Sequence, residues 1–171
     1  GGEDFNEILI SMFLEHHNLD PSSLTLKEKG LLNKSAESVK RQFFDNKIVV
    51  MSCNLNNEKL DFEITFDSFE KNCAMLLNKL KRPIVRALSD ASIKLNDIDT
   101  IVLVGGATKL PIIRNFVSKL FGRLPASNIN PDEVVALGAA VQGAMKERNQ
   151  LIKEIVLTDV CPFTLGTNIS V

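Results

Sequence analysis

The sequence predicts an α/β protein in two parts: a helical region carrying a β-hairpin up to about residue 80, then a β-α-α-β region. Three observations carry this reading. Apolar residues recur at spacings of three and four from Phe5 to His17 and from Leu31 to Phe43. They alternate strictly with polar residues from Lys59 to Phe66, and a short β-branched run from Ile101 ends in Gly105 and Gly106.

Phe5, Ile8, Leu9, Met12 and Phe13 give the first helix its apolar face, and Pro21-Ser22-Ser23 makes a turn. Leu31, Leu32, Ala36, Val39 and Phe43 mark a second helix ending near Asp45-Asn46. Ile48–Leu55 and Lys59–Phe66 read as strands flanking Asn56-Asn57-Glu58, with Leu60, Phe62, Ile64 and Phe66 on the buried face. Asp67 stands as a cap three residues before Glu70, and Cys73, Leu76, Leu77 and Leu80 continue at helical spacing. A kink or break is expected at Pro83, with Ile84, Leu88 and Ala91 carrying the helix onward.

From Thr100 the character changes. Ile101-Val102-Leu103-Val104 reads as a strand buried on both faces, and a helix resumes after Pro111. Asn130-Pro131-Asp132-Glu133 opens another helix, with Asn as cap, Pro first and Glu third. Its body, Val134 to Met145, is rich in Ala and Gly and permits close packing of backbones. Short strands are expected at Glu154–Leu157 and Leu165–Val171.

At 171 residues, 44% hydrophobic and 24% charged, the chain has the composition of a globular protein with a real core. A net charge of -1 offers no basic field to a nucleic acid or an acidic membrane. No apolar run approaches the roughly 20 residues that span a bilayer, so the chain reads as soluble. Cys53, Cys73 and Cys161 are odd in number and far apart, which suggests neither a disulfide framework nor a zinc site and fits a reducing cytoplasm. Gly1-Gly2-Glu3-Asp4-Phe5 looks like the middle of a protein, and we expect a piece of something larger.

Chemistry points to two clusters. Val104-Gly105-Gly106-Ala107-Thr108-Lys109 is an apolar run turning on two glycines, and glycine lets a ligand approach backbone groups without a Cβ in the way. A tight strand-to-helix connection explains the same residues equally well. Glu37, Lys40 and Arg41 share one helix face, where Glu and Lys suit ribose hydroxyls and Arg suits the face of an adenine ring. Taken alone, that pattern more often marks solvated surface charge. Asp159 follows an apolar run and lies either near the glycine turn or in a simple turn of its own. Adjacent His16 and His17 point in different directions and make no metal pair, and no catalytic constellation emerges.

Ile101 to Pro111 (IVLVGGATKLP) and Asn130 to Gly143 (NPDEVVALGAAVQG) closely resemble the DnaK-type seventy-kilodalton heat-shock chaperones, and the likeness extends over nearly the whole chain. GGEDF at Gly1 to Phe5 is similar to the segment after that family's second phosphate loop, and LTDVCPFTLG at Leu157 to Gly166 is similar to the end of its ATPase domain. The LTDVCPF wording and a shortened region before the hairpin look most like the HscC branch.

The resemblance implies the second lobe of an actin-like (ribonuclease H-like) ATPase. Residues 1–78 would be a peripheral subdomain of helices and hairpin, and 79–171 an inner β/α subdomain with the glycine turn. It also implies adenosine contacts for Gly2, Glu37, Lys40, Gly105, Gly106, Ala107, Lys109 and Asp159, with Glu37 and Lys40 on the ribose and Arg41 and Lys109 flanking the base. Lys109 stands where many members have Arg, and an ammonium lacks the flat guanidinium that stacks on a purine. Phe44 stands where many have a Ser that hydrogen-bonds the base.

The implied cofactor is ATP or ADP with magnesium. The implied partners are unfolded peptides, bound through a domain absent here, a J-domain co-chaperone and a nucleotide-exchange factor. The phosphate loops, catalytic lysine, magnesium-positioning aspartates and interdomain linker are not recognisable in this sequence, so the fragment alone is expected to be inactive. A sugar or acid kinase of the same superfamily, and a docking module for an exchange factor, stand as alternatives.

Overall fold

The structure, a computed structural model, describes residues 1–126, 130–147 and 166–167. Its helices are α1 (Gly2–His16), α2 (Leu26–Gln42), α3 (Phe66–Asn72), α4 (Ala74–Asp90), α5 (Pro111–Phe121) and α6 (Val134–Lys146), and its strands are β1 (Ile48–Leu55) and β2 (Glu58–Thr65). The chain divides into two compact units, Gly1–Val134 and Val135–Val171. In the second, the described structure is the body of α6. The expected subdomain boundary at 78/79 falls inside α4.

In the first unit α1 and α2 pack against each other and α2 lies on β1. Phe5, Leu9, Met12 and Phe13 meet Leu32, Ala36 and Val39, and the layer closes with Val49, Met51, Cys53 and Leu55. Aromatic rings seal one end: Phe43 stacks on Phe69 at 5.1 Å between centroids, and Phe5 meets Phe69 edge-on at 6.2 Å. Burying these apolar faces supplies the drive that an isolated helix of this length lacks.

The hairpin forms because the inward residues of β1 and β2 pair across it, Val49 with Ile64, Met51 with Phe62 and Cys53 with Leu60. Its loop is Asn56-Asn57, both at positive φ (50° and 62°), the conformation that two-residue hairpin turns require and that Asn tolerates. The Phe66 amide donates to the Lys47 carbonyl at 2.7 Å, which sets the parity of the ladder and turns the backbone groups of Ser52 outward. There the Ser35 hydroxyl of α2 donates to the Ser52 carbonyl at 2.7 Å, covering part of the open edge.

Four expectations change. Thr65 caps α3, accepting from the Ser68 amide at 3.2 Å, so the helix starts at Phe66 with Asp67 in its first turn rather than at a cap. Pro83 does not break α4: the helix runs through it from Ala74 to Asp90, and the apolar stripe Leu76, Leu77, Leu80, Ile84 and Leu88 continues past it while Lys79, Lys81 and Arg82 stay exposed.

Ile101–Val104 is not a strand. Its burial alternates, with Ile101 and Leu103 against the core and Val102 and Val104 43% and 47% exposed. Among the described residues no strand lies beside it, and its cross-chain backbone bond is that from the Ala126 amide to the Ile101 carbonyl, at 2.8 Å. A segment is a strand only through a partner. The helix expected to open at Asn130 begins at Val134. The strands expected at Glu154–Leu157 and Leu165–Val171 lie outside the described residues, Gly166 and Thr167 apart.

Candidate functional site

Within the first unit α2 presents two faces. Leu32, Ala36 and Val39 point to the core, and Glu37, Lys40 and Arg41 run beside them along the rim of a cleft of ≈ 700 Å³. Gly1 and Gly2 from the start of α1, Phe44 beyond the end of α2, and the segment Val104–Ala107 with Lys109 and Leu110 complete the wall together with Asp132.

Lys40 is not solvated surface charge. Only 6% of it is exposed, and a buried ammonium is stable only when it is paired and hydrogen-bonded. Its Nζ donates to the Gly2 carbonyl at 3.1 Å and forms an ion pair with Glu37 Oε2. Glu37 also accepts from Arg41 Nε at 3.0 Å and from Asn6 Nδ2 at 3.1 Å. The Lys40 hydrogen bond is the main reason the Glu37 carboxyl is held down at about 2, with Asn6 and Arg41 adding to it and burial opposing.

Asn6 was not singled out from the sequence. It is 1% exposed, and its amide nitrogen also lies 3.2 Å from Glu3 Oε2 and 3.2 Å from Asn33 Oδ1. Its Oδ1 has no partner among the described residues. A signal was present: Asn6 interrupts the apolar stripe of α1 next to Phe5 and Leu9, and a polar residue at an inward position implies a buried network.

Opposite α2, Leu110 and Ile112 are fully buried and anchor α5, which fixes the preceding turn at the cleft. Gly105 has φ 90° and ψ 147°, a conformation open in practice to glycine alone. Its amide donates to the Pro131 carbonyl at 3.0 Å, and its carbonyl accepts from the Thr108 amide at 3.0 Å and hydroxyl at 2.7 Å. A Cβ at Gly106 would lie 3.3 Å from Asp132 Oδ1, and one at Gly2 would lie 3.3 Å from Lys40 Nζ. Lys109 forms an ion pair with Asp132, so its ammonium is tied to the wall.

Asp132 is the second site residue that the sequence does not reveal, since Asn130-Pro131-Asp132-Glu133 has the pattern of a helix start. Asn130 holds it outside the helix, accepting from the Asp132 amide at 3.1 Å while donating from Nδ2 to Glu133 Oε1 at 2.8 Å.

The structure thus brings Gly2, Glu37, Lys40, Arg41, Gly105, Gly106, Ala107 and Lys109 to one cleft. Asp159 lies outside the described residues. Among those residues no group of three His, Cys, Asp or Glu is arranged to hold a metal ion, and burial raises the Cys73 thiol to about 12, far from a nucleophile. No helix of the described residues is long and apolar enough to cross a membrane. The wall offers charged donors and acceptors, two flat side chains and a glycine turn, which suits a ligand with hydroxyls and a planar ring.

The family model described as Hsp70 protein matches residues 1–171. Chaperone protein DnaK of Deinococcus deserti is 34% identical over 185 residues, covering 99% of this chain and 29% of its own length. Chaperone protein DnaK of Thermosipho melanesiensis is 35% identical over 189 residues, covering 99% and 30%. Heat shock 70 kDa protein 7, chloroplastic, of Arabidopsis thaliana is 34% identical over 179 residues, covering 97% and 24%. The chain therefore spans less than a third of the length of these relatives.

Proposed function

Because the chain belongs to the Hsp70 protein family, we propose that it forms the adenosine-holding part of a chaperone's ATP-binding domain, in which ATP binding and hydrolysis control a separate peptide-binding domain. The observation that carries this is the meeting of the glycine turn and the Glu37, Lys40 and Arg41 face across one cleft, from sites more than sixty residues apart in sequence. In this reading Glu37 and Lys40 hold the ribose, Gly105 and Gly106 admit the nucleotide to the backbone, and Arg41 flanks the base.

The frame is the second lobe of an actin-like ATPase, with residues 1–78 as its peripheral subdomain and 79–171 as most of its inner one. Extended similarity to DnaK chaperones favours this over a sugar or acid kinase. The HscC branch, a cytoplasmic location, and J-domain and exchange-factor partners belong to the same proposal. Magnesium would arrive with the nucleotide's phosphates. Since the described residues offer no ligand set for it, no metal step is assigned to this chain.

Titration of the purified chain with adenosine tests the reading. Saturable binding that Lys40→Ala weakens supports it. Absence of binding by a chain whose circular dichroism shows it folded would reject it.

A further inference from the structure

Asn6 is a polar side chain in an apolar place. It shares the buried face of α1 with Phe5, Leu9, Met12 and Phe13, where an amide destabilises the fold unless hydrogen bonds replace its lost hydration. Its nitrogen supplies them: Nδ2 lies 3.1 Å from Glu37 Oε2, 3.2 Å from Glu3 Oε2 and 3.2 Å from Asn33 Oδ1. Turning the amide over would set its oxygen against two carboxylate oxygens, so charge fixes which way it faces. Asn33 Nδ2 donates in turn to Glu3 Oε1 at 2.7 Å, and the cluster ties the start of α1 to α2.

Glu37 is the member of this cluster that reaches the cleft, while Asn6 lies behind the wall. Both carboxylate oxygens of Glu37 are gripped, Oε1 by Arg41 and Oε2 by Lys40 and Asn6. Lys40 and Arg41 ride on the same helix, three and four residues on, whereas Asn6 donates from α1.

We propose that Asn6 is a positioning residue: from inside the core it holds the Glu37 carboxylate in the direction in which the cleft presents it, and so raises the affinity for a ribonucleoside that it does not itself touch. This rests on the nucleotide reading above and deepens it. A glutamate free to rotate must be ordered when a ligand binds, and one already held presents its acceptor at a smaller entropic cost. The charged groups facing Glu37 are Lys40 and Arg41 on α2 and Glu3 on α1, with Lys109 and Asp132 on the opposite wall. Asn6 is neutral, so replacing it by a neutral residue changes direction and hydrogen bonding and leaves the net charge alone.

The test begins with Asn6→Leu, which removes the donor and sets an apolar side chain of similar size among apolar neighbours. Adenosine should bind the folded variant about tenfold more weakly than the unaltered chain. In a Glu37→Ala background the same replacement should have no further effect, because nothing is left to position, whereas a merely structural residue would weaken binding in both backgrounds alike. Carboxyl NMR adds a readout that needs no ligand. Glu37 is held at about 2 chiefly by Lys40, with burial opposing and Asn6 and Arg41 adding, and in Asn6→Leu its titration should move up towards the ordinary 4.5. If Asn6→Leu does not fold, the Asn6 side-chain amide resonances decide, since they should shift between the unaltered chain and Glu37→Ala.

Equal adenosine affinity in a folded Asn6→Leu, the same loss in both backgrounds, an unmoved Glu37 titration or unmoved Asn6 amide resonances would each overturn the inference and leave the nucleotide reading standing. Failure of the unaltered chain to bind adenosine would overturn both.

Discussion

Lys40 shows how one residue decides what a helix face means. Glu37, Lys40 and Arg41 are spaced as surface charges are, yet the Lys40 ammonium is withdrawn onto the Gly2 carbonyl. Lys40→Ala removes that anchor and the proposed ribose donor, and adenosine affinity should fall by about 1 to 3 kcal/mol in calorimetry. Glu37→Gln keeps the shape but not the charge and is expected to lose less. Gly106→Val sets a branched side chain against Asp132 at the cleft mouth while leaving the core untouched, so binding should fall sharply with the melting temperature little changed. Unchanged binding in that folded variant would reject the glycine turn as a contact. Type and spacing mark these residues in the sequence only as candidates, and the family resemblance is what gives them their roles. The sequence hid Asn6 and Asp132, whose roles come from neighbours remote in sequence: Asn33 and Glu37 for one, Lys109 for the other.

At the scale of elements, legibility follows the range of the forces. The hairpin is plain in the sequence because alternation and the Asn56-Asn57 turn are local, whereas the cap of α2, equally local, comes to light only in the structure. Thr25 accepts from the Glu28 amide at 3.3 Å, and Glu28 Oε2 accepts from the Thr25 amide at 2.9 Å. Glu28 does more than cap, because its Oε1 accepts from the Asn56 amide at 3.0 Å and pins the hairpin turn to the start of α2. Thr25→Ala should cost about 1 kcal/mol in chemical unfolding.

The Glu28 carboxyl is held at about 2, chiefly by the Asn56 amide, and Glu37 at about 2, chiefly by Lys40. Both folded values lie below the ordinary 4.5, so what they contribute is complete above that pH and is lost as the pH falls from there through about 2. The urea midpoint should therefore be level near neutrality and decline as the pH falls from 4.5 to about 2, with a shallower decline in Glu28→Gln. Ile101–Val104 lay beyond this local reasoning, since β-branched residues permit a strand and only a neighbour makes one.

For the whole molecule, what is held differs from what is done. Contacts to base and ribose stabilise ground and transition states about equally, so they aid binding without lowering a barrier. Phosphoryl transfer needs magnesium and donors aimed at the γ-phosphate, and among the described residues no group of three His, Cys, Asp or Glu is arranged to hold a metal ion. Phosphate release by the purified chain with ATP and magnesium should stay at background. Turnover abolished by Gly106→Val would show that catalytic residues lie here after all. The α/β class, the helices and the hairpin were readable, whereas the division into compact units depends on contacts across the chain that no local pattern records.

The pairing of charges along the cleft also sets how the molecule responds to ionic strength. Glu37 and Asp132 face Lys40, Arg41 and Lys109, so the wall nearly cancels its own charge and projects little field into the water beyond it. A neutral nucleoside would then be held almost equally at about 0.05 and 0.5 M salt, where the screening length changes several-fold. Added phosphates would gain little attraction and lose it on the addition of salt, so nucleoside and nucleotide affinities should converge in concentrated buffer.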